Sequence, residues 1–507
     1  MKSTKLQPSR SHAKNIQTMN INIKNNKAKG AATFLPLCLL AVLLLTGCND
    51  FLDVKPKSQI EEEDLFSRES GYQDQLAGVY STMSGTSMYG LQMTVGTAEV
   101  LSQNLNVNSN STLWRYVRDY DYANSGVESV LGNVWSQAYN CIANLNIMLR
   151  NFRDDAQLSH TDSIYKGEAL GMRAFLHLEL MRWFAAAPAM GTQGNGVPYV
   201  TEYSTNVTGQ KTVSETMTLI INDLLKARQL LSAQLNYSGT SLYNDAYYHR
   251  YEFNYYACTA TLARAYLWNQ DKANALTYAQ EIIDVNDSEK PYNGAFSWVH
   301  YSVFTSSNDS ERQPSFPTEM IFYLDINDWE DNGNTYLHAA KGVNTLTPSY
   351  EYAQQVYELN AGLGADYRLA YGFTQDGEER HLSRLWHVDG RGAGNNMIPL
   401  IRMSEAYYIA AECVADSDPA QAAKYLNLVR SNRGLSATPL SENLTAAEAD
   451  NEIYKEYRKE FLGEGQLFFY YKRRNVQSIP GAGRPGSRAV YVMPIPSNDQ
   501  EFGGYTN

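Results

Sequence analysis

From Ile60 onward, apolar residues recur every three or four positions, a pattern that predicts a mainly α-helical chain. The apolar stripe of the predicted helix before Pro188 is formed by Ala169, Met172, Leu176, Leu180 and Trp183. Thr212 and Glu215 have the spacing of a capping box, in which each side chain accepts a hydrogen bond from the other residue's backbone N–H. They predict the start of another helix, which ends at about Leu231.

Two pairs of short helices with small residues at their contact are predicted further along the chain. The first pair has apolar stripes at Cys258, Leu262 and Ala265 and, after a polar break, at Leu276, Ala279 and Ile283. The second pair has stripes at Met403, Ala406, Tyr407, Ala410 and Val414, then at Ala422, Leu426 and Val429. Asp418 is the predicted cap of the last helix, and Pro419 takes its first position. Such hairpins are similar to tetratricopeptide repeats, so we predict a helical-repeat scaffold.

Two long segments, residues 86–124 and 286–394, interrupt this scaffold. Both are rich in Gly, Ser, Asn and Asp, show little sustained periodicity and contain several Trp and Tyr residues. Loops of this length within a compact domain are usually functional or disordered, and the aromatic content argues against disorder. We therefore expect ordered, irregular loops that carry the function, with a few short strands such as residues 320–324.

The N-terminal region has the parts of an export signal. Seven basic and no acidic residues precede the predicted cleavage site before Cys48. The apolar run over residues 34–45 is shorter than the roughly 20 residues of a membrane-spanning helix. The junction Leu45-Thr46-Gly47-Cys48 is similar to the bacterial lipobox, in which cleavage precedes a cysteine that is then acylated. We predict a signal peptide over 1–47, a lipid-anchored segment over 48–70 and a ligand-binding domain over 71–507. A cleaved secretory signal with an incidental cysteine is the alternative.

Charge and cysteine content narrow the classes of partner. Without the signal peptide, 35 basic residues stand against 54 acidic ones, which argues against a nucleic acid or an anionic membrane surface as partner. Cys141, Cys258 and Cys413 lie far apart in apolar helical sequence and have no metal-ligand spacing. We therefore predict three free, buried thiols rather than a disulfide framework.

A set of short motifs occurs in an order that is similar to one known family. They are residues 45–53 with the lipobox, the helix 166–184 with its continuation to residue 200, residues 401–412, residues 425–434, Glu456-Tyr457-Arg458-Lys459-Glu460, Gly463-Glu464-Gly465 and Met493-Pro494-Ile495-Pro496. Together they resemble the SusD/RagB family of outer-membrane lipoproteins from Bacteroidetes, over essentially the whole mature chain. The chain departs from the family pattern after Pro496, where the usual Asn-Pro is missing.

The resemblance implies a fold, a location and a partner. Members are mainly helical, with tetratricopeptide-like hairpins that support long irregular loops and a few short strands. They are lipid-anchored in the outer membrane, on the cell surface, above a SusC-like TonB-dependent transporter. There they capture a glycan, or in some members a peptide, and deliver it for import. No cofactor and no metal are implied.

The resemblance also suggests where ligand contacts lie, because glycan-binding members carry an aromatic residue in the first long loop. Trp114 is our first candidate for a ring that stacks on a sugar, with Asn108 and Arg115 as hydrogen-bonding neighbours. The second long loop offers further candidates at Trp298, Tyr301, Tyr323, Trp329 and Trp386. The tryptophans on helical stripes, which we predict to be core residues, are Trp135, Trp183 and Trp268.

Some charged residues favour a structural interpretation. Arg402, Glu405 and Arg430 lie in scaffold motifs, and Arg402 and Glu405 are three residues apart on one predicted helix face, where they could form a local ion pair. An acidic run could coordinate calcium through Asp325, Asn327, Asp328, Glu330 and Asp331. It lacks the spacing and the glycine of an EF-hand, so a solvated loop is the favoured interpretation.

No catalytic constellation emerges from the sequence. The eight His residues form no HExxH motif, and neither GxSxG, a P-loop nor a strand followed by GxGxxG is present. We therefore predict a non-catalytic binding protein that captures oligosaccharide or polysaccharide. Three alternatives remain open, namely a surface glycoside hydrolase, a peptide-binding member of the same family, and a helical-repeat adaptor or adhesin that binds only proteins.

Overall fold

The computed structural model describes residues 57–236, 250–286, 296–305, 315–327, 329–337, 342–348, 350–376, 379–382 and 396–507. The chain divides into two compact units, residues 1–64 and residues 65–507. Within the first unit, residues 57–64 are described and form most of the first helix. The predicted signal peptide and the lipidation site at Cys48 lie outside the described residues. Apart from this first helix, the elements described below belong to the second unit.

Helices dominate the described chain, which confirms the mainly α fold class. The helices are α1 Lys57–Leu65, α2 Glu69–Met83, α3 Thr97–Leu101, α4 Trp114–Arg118, α5 Ser125–Arg150, α6 His160–Phe184, α7 Val213–Leu231, α8 Tyr255–Trp268, α9 Lys272–Asn286, α10 Tyr301–Thr305, α11 Trp329–Asn332, α12 Tyr350–Val356, α13 Tyr367–Ala370, α14 Met403–Val414, α15 Pro419–Arg430, α16 Ala446–Glu460, α17 Leu467–Arg473, α18 Arg488–Tyr491 and α19 Ser497–Gly503.

Short strands form antiparallel pairs within the long loops. They are β1 Asn106–Val107, β2 Met320–Asp325, β3 Leu346–Thr347, β4 Thr374–Asp376, β5 Glu379–His381 and β6 Met397–Arg402. β1 pairs with β3, β2 with β6, and β4 with β5. The strand predicted over residues 320–324 is confirmed as β2, whose register with β6 shifts between Met320 and Tyr323.

Helix α6 contributes a long buried stretch to the scaffold. It begins at a capping box, in which the Asp162 N–H donates to Ser159 Oγ at 3.0 Å. Every residue from Gly167 to Phe184 is buried, because α5 and α7 both pack against this helix. Gly171 allows the close packing, since a Cβ at this position would lie 2.4 Å from the Phe253 ring. The apolar stripe predicted for this helix is therefore only part of a surface that is buried all round.

Both predicted helical hairpins are present, as α8–α9 and α14–α15. The predicted cap is confirmed, since Asp418 Oδ1 accepts a hydrogen bond from the Gln421 N–H at 2.9 Å, and Pro419 is the first residue of α15. The capping box of Thr212 and Glu215 and the helix end at Leu231 are confirmed as well. Helix α9 packs against α14, so two hairpins that are far apart in sequence are neighbours in the scaffold.

The two long segments contact each other, which the sequence pattern does not indicate. β1 lies in the first segment and β3 in the second, and Asn106 is opposite Thr347 in their pairing. Nearby, the Trp114 ring meets the Tyr336 ring edge to face, with 6.0 Å between centroids. The described parts of both segments therefore extend the helical core rather than standing away from it.

A buried ion-pair network ties β6 and the start of β2 to helix α16. Glu460 accepts from Arg402 Nη1 at 2.5 Å, from Arg433 Nη2 at 2.7 Å and from Arg368 Nη1 at 3.0 Å. Arg433 also donates to Glu319 at 2.8 and 2.5 Å. None of these five side chains is more than 1% exposed. An isolated charge at such depth would be costly, so each member depends on its partners.

The predicted pair between Arg402 and Glu405 is wrong, because each residue binds a different partner. Arg402 is the last residue of β6 and the N-cap of α14, so the two residues do not share a helix face. Glu405 instead accepts from Arg264 of α8 at 2.8 and 2.7 Å. Arg430 donates to Glu456 at 2.5 Å. The contacts of these residues support the structural interpretation of their roles.

The cysteine and tryptophan expectations are largely met. Cys141, Cys258 and Cys413 are free thiols, the first two buried and the third half-buried. Burial raises the pKa of the Cys141 thiol to about 12. Three tryptophans are confirmed as core residues, namely Trp135, Trp183 and Trp268.

Candidate functional site

Trp114, our first candidate, lies in the core rather than on the surface. Its side chain is 2% exposed, and its backbone N–H donates to Ser111 Oγ at 3.0 Å as helix α4 begins. Tyr336 from the second long segment covers the ring. The expectation of an exposed platform at Trp114 is therefore corrected, because the contact between the two long segments buries the ring.

The candidates of the second long segment are scattered. Trp329 is 1% exposed and belongs to the core. Trp298 is half-buried against Tyr407, with ring centroids 5.2 Å apart, and the Arg433 guanidinium lies 5.4 Å from its ring centroid. Trp386 lies outside the described residues. Tyr323 lines a cleft that is described below.

The polar candidates of the first segment remain near the surface. Asn108 is exposed, and its Oδ1 accepts a hydrogen bond from the Asn110 N–H at 2.9 Å, which closes a local turn. Arg115 is half-buried, donates to the Tyr116 hydroxyl at 2.5 Å and stacks on that ring at 4.4 Å. Neither residue lines the cleft that contains Tyr323. The structure therefore does not gather the predicted site residues into one place.

A cleft of about 560 Å³ lies between the end of α2 and the end of β2. Three tyrosines and several polar groups share its wall. The lining residues are Tyr80, Ser81, Ser84, Gly85, Tyr251, Tyr323, Leu324, Asp325, Ile326 and Asn327. Asp325 and Asn327 are exposed, and Tyr251 is 44% exposed, so these side chains are accessible from solvent.

Contacts with the scaffold fix the α2 side of the cleft. The Tyr80 hydroxyl donates to the Glu168 carboxylate on α6 and accepts from the Phe253 N–H at 2.8 Å. Ser84 follows α2 and its hydroxyl donates to the Asp325 carbonyl at 3.4 Å. Because Glu168 lies in the buried part of α6, this contact holds Tyr80 at a defined position.

Arg250 fixes the β2 side of the cleft from behind. Its guanidinium is 1% exposed, donates to the Pro317 and Met320 carbonyls, and lies 6.0 Å from the Tyr323 ring centroid. The Tyr323 N–H donates to the Arg250 carbonyl at 3.0 Å. A cation near a ring face adds attraction to the packing, so the Tyr323 ring has a preferred orientation.

Two of the cleft tyrosines, Tyr80 and Tyr251, are protonated at neutral pH. Burial and the neighbouring Glu168 carboxylate hold the pKa of Tyr80 well above its ordinary value. Burial, together with Glu252, raises the pKa of Tyr251 to about 12. Both phenols therefore keep their proton at neutral pH, and Tyr80 donates its proton to the Glu168 carboxylate.

The arrangement suits a ligand with apolar faces and hydroxyl edges. An aromatic face packs against the carbon-bound hydrogens of a sugar ring, and phenol, carboxylate and amide groups hydrogen-bond its hydroxyls. Tyr251 supplies an exposed ring and Tyr323 a ring that is 9% exposed, while Asp325 and Asn327 supply polar groups at the rim. The acidic run that contains Asp325 is thus exposed where it is described, as the solvated-loop interpretation predicted.

Sequence reasoning identified Tyr323 but missed Tyr80 and Tyr251. Tyr80 occupies a helical position that is indistinguishable from a core position in the pattern. Tyr251 precedes α8 in a stretch with unusually dense tyrosine, since residues 243–256 contain six of them. That density is a signal that could have been used. The meeting of α2 with β2, however, depends on contacts between residues about 240 positions apart.

Two family profiles match the chain. The profile described as "Starch-binding associating with outer membrane" matches residues 50–267. The profile described as "SusD family" matches residues 223–486, more than half of the chain.

Individual relatives agree with the profiles. SusD-like protein P25 of Formosa agariphila is 22% identical over 82% of this chain and 85% of its own length. A SusD superfamily structure from Bacteroides thetaiotaomicron superposes with a TM-score of 0.67 at 21% identity, covering 86% of this chain and 98% of that one. A SusD-like carbohydrate binding protein from Bacteroides vulgatus gives a TM-score of 0.65 at 19% identity, covering 86% and 96%. At this identity the superpositions establish the shared fold.

Proposed function

Because the chain belongs to the SusD family, we propose that it is a non-catalytic binding protein that captures a neutral oligosaccharide or polysaccharide in the cleft between α2 and β2. The observation that carries this proposal is the cleft wall, where three tyrosines lie beside Asp325 and Asn327. The family profile described as starch-binding and the relative named as a carbohydrate binding protein support a glycan as the ligand class.

The charge of the cleft favours a neutral glycan over an acidic one. Asp325 exposes a carboxylate at the rim, and acidic residues outnumber basic ones in the whole chain, 54 against 42. A negative surface lowers the local concentration of anionic ligands. Uronic acid polymers and sulfated glycans are therefore disfavoured as ligands of this cleft.

We propose that the protein binds the glycan without hydrolysing it. Hydrolysis of a glycosidic bond by the usual mechanisms needs two carboxylic acids about 5–10 Å apart on either side of the bond. Among the described residues that line the cleft, Asp325 supplies a carboxylate from one wall, whereas the opposite wall presents Tyr80, Ser81 and Ser84. This division suits recognition of hydroxyls better than acid–base catalysis.

The location proposed is the outer membrane, with a lipid anchor at Cys48. The matching profile is described as associating with the outer membrane. Within the part of the chain that the structure describes, no helix has the length and apolarity needed to cross a bilayer. A multiply acylated Cys48 would provide the attachment, since several buried acyl chains hold a soluble domain firmly. We also propose that the anchored protein is exposed on the cell surface.

The partner proposed is a SusC-like TonB-dependent transporter, to which the captured glycan is delivered. Its support is the match to the SusD family over more than half of the chain. Affinity purification of the tagged lipoprotein from detergent-solubilised outer membranes should recover a transporter of this class. Recovery of the lipoprotein alone, under conditions that preserve other outer-membrane complexes, would contradict the delivery step.

The capture proposal is tested by incubating the mature chain, with Cys48→Ser to remove the lipid, with neutral polysaccharides. Amylopectin, xylan, β-glucan and galactomannan serve as the panel, alongside a mixture of peptides and a protein extract. We expect retardation in a gel that contains at least one polysaccharide, with no release of reducing ends. Binding of peptides alone would indicate a peptide-binding member, and release of reducing ends a hydrolase. Retention of proteins only would indicate an adaptor.

A further inference from the structure

A second group of tyrosines lies at the end of β2 opposite to the cleft. Tyr301 of α10 is 49% exposed, and its ring centroid is 5.1 Å from that of Tyr367, which begins α13. Tyr371 follows α13, with its centroid 6.1 Å from Tyr367. Tyr367 and Tyr371 are both partly exposed. We call these three residues the tyrosine surface.

The tyrosine surface is backed by buried aromatic rings. The Phe304 ring lies 5.6 Å from Tyr367 and 5.9 Å from Tyr371, nearly parallel to the latter at 20°. Phe316, which is 1% exposed, lies 5.5 Å from Phe304. The partly exposed rings therefore rest on a packed second layer.

The second layer in turn rests on the buried ion-pair network. The Arg433 guanidinium lies 4.2 Å from the Phe316 ring centroid, and the Arg402 guanidinium 5.4 Å. Gly434 allows the Tyr367 ring to pack closely against the backbone, because a Cβ at position 434 would lie 2.4 Å from the Tyr367 Cε1 atom. Rings that are held in place before binding lose little conformational entropy when a ligand stacks on them.

The size of the surface favours a small, flat ligand segment over a protein partner. A tyrosine buries about 150–250 Å² when fully covered, so three partly exposed rings offer well under the roughly 800 Å² per partner of a standard protein interface. One or two sugar rings match this area. The phenol hydroxyls also suit a ligand that presents hydroxyl groups beside an apolar face.

The charges beneath the surface favour a neutral ligand. Arg402 and Arg433 share Glu460, and Arg433 also pairs with Glu319. Because these guanidiniums are neutralised by carboxylates, their net field at the rings is small. An anionic or cationic ligand would find no strong complementary charge among them.

We propose that the tyrosine surface is a second binding site for the neutral glycan, so that one polysaccharide chain contacts both it and the cleft. This inference rests on the function proposed above. β2 runs between the two sites and spans roughly 17 Å, at about 3.3 Å per residue. A ligand that engages both sites gains affinity through the high effective concentration of its second segment. A short oligosaccharide, which occupies one site at a time, does not.

The test compares long and short ligands in wild type, Tyr301→Ala and Tyr203→Ala, each in the mature chain with Cys48→Ser. Tyr203 is a matched control, because it is 55% exposed and lies outside both sites. The probes are amylopectin, xylan, β-glucan and galactomannan, each with its trisaccharide. For a polysaccharide that wild type binds, we expect Tyr301→Ala to weaken binding by about tenfold or more. Trisaccharide affinity should remain within about twofold, and Tyr203→Ala should behave as wild type.

The results distinguish a failure of the second site from a failure of capture in the cleft. Equal polysaccharide affinity in wild type and Tyr301→Ala would overturn the second site and leave capture in the cleft intact. Absence of binding by wild type to every probe would overturn both. Tyr301→Phe keeps the ring and should retain the polysaccharide affinity. A loss in Tyr301→Phe equal to that in Tyr301→Ala would refute stacking as the mode of binding.

Discussion

At the scale of single residues, Glu460 is a carboxylate that depends on several buried partners. Its carboxylate is fully buried and accepts from three arginines, which hold its pKa well below the ordinary value. The neighbouring Glu456 behaves in the same way, and Arg368, Lys459 and Arg430 lower its pKa to about 2. These contacts lock β6 and α16 to the residues after α15, so the network fixes the platform on which the tyrosine surface rests.

Replacement of Glu460 should therefore destabilise the fold strongly. Glu460→Gln leaves the buried arginines without their shared anion, and we expect a loss of about 3–5 kcal/mol in the free energy of unfolding. The matched control is Asp416→Asn, which breaks the exposed pair with Lys272 and should cost less than about 1 kcal/mol. Urea denaturation measures both. Similar small losses in the two variants would show that the network contributes little to stability.

The sequence alone indicated the structural role of some of these charged residues, but not their partners. Arg402, Glu405 and Arg430 were correctly interpreted as structural, since motif position favours that role. Their partners could not be inferred, because Arg402 pairs with Glu460 across 58 residues and Arg264 pairs with Glu405 across 141. Only local pairs, at a spacing of three or four, are visible in a sequence pattern.

At the scale of secondary-structure elements, the scaffold was predictable where local signals suffice. Capping residues such as Thr212 and Asp418 marked helix starts, and small residues marked the hairpin contacts. The two long segments were not predictable in the same way. Trp114 is buried because Tyr336, more than 200 residues later, packs on it, so an aromatic residue in an irregular polar segment gave the wrong expectation.

Glycines in helices α5 and α6 provide a test of how tightly the scaffold packs. Gly171→Ala places a Cβ 2.4 Å from the Phe253 ring, and we expect destabilisation of about 1–3 kcal/mol from overpacking. Gly132→Ala in α5 meets no atom within 4 Å and should stabilise by up to about 1 kcal/mol. Thermal unfolding of the two variants gives the comparison. A Gly171→Ala variant as stable as Gly132→Ala would contradict the close approach of Phe253 to α6.

At the scale of the whole molecule, a helical layer supports long loops. Some aromatic residues of these loops are buried, and others are exposed. Some, such as Trp114 and Trp329, complete the core. Others, such as Tyr251 and Tyr301, remain exposed at opposite ends of β2. The family was recognisable from ordered motifs, whereas the candidate cleft required the three-dimensional meeting of α2 with β2. The two differ because scaffold motifs are local in sequence, whereas the cleft is assembled from segments that are far apart in sequence.

The most direct test of capture in the cleft is calorimetric titration of the mature chain, with Cys48→Ser, against the oligosaccharides of the neutral panel. Tyr251→Ala removes an exposed cleft ring, and Tyr203→Ala removes a somewhat more exposed ring elsewhere. We predict saturable binding that Tyr251→Ala weakens by about tenfold, equivalent to ~1.4 kcal/mol, and that Tyr203→Ala leaves unchanged. Binding of equal strength in all three proteins, or no binding by the wild type to any of these oligosaccharides, would contradict capture in this cleft.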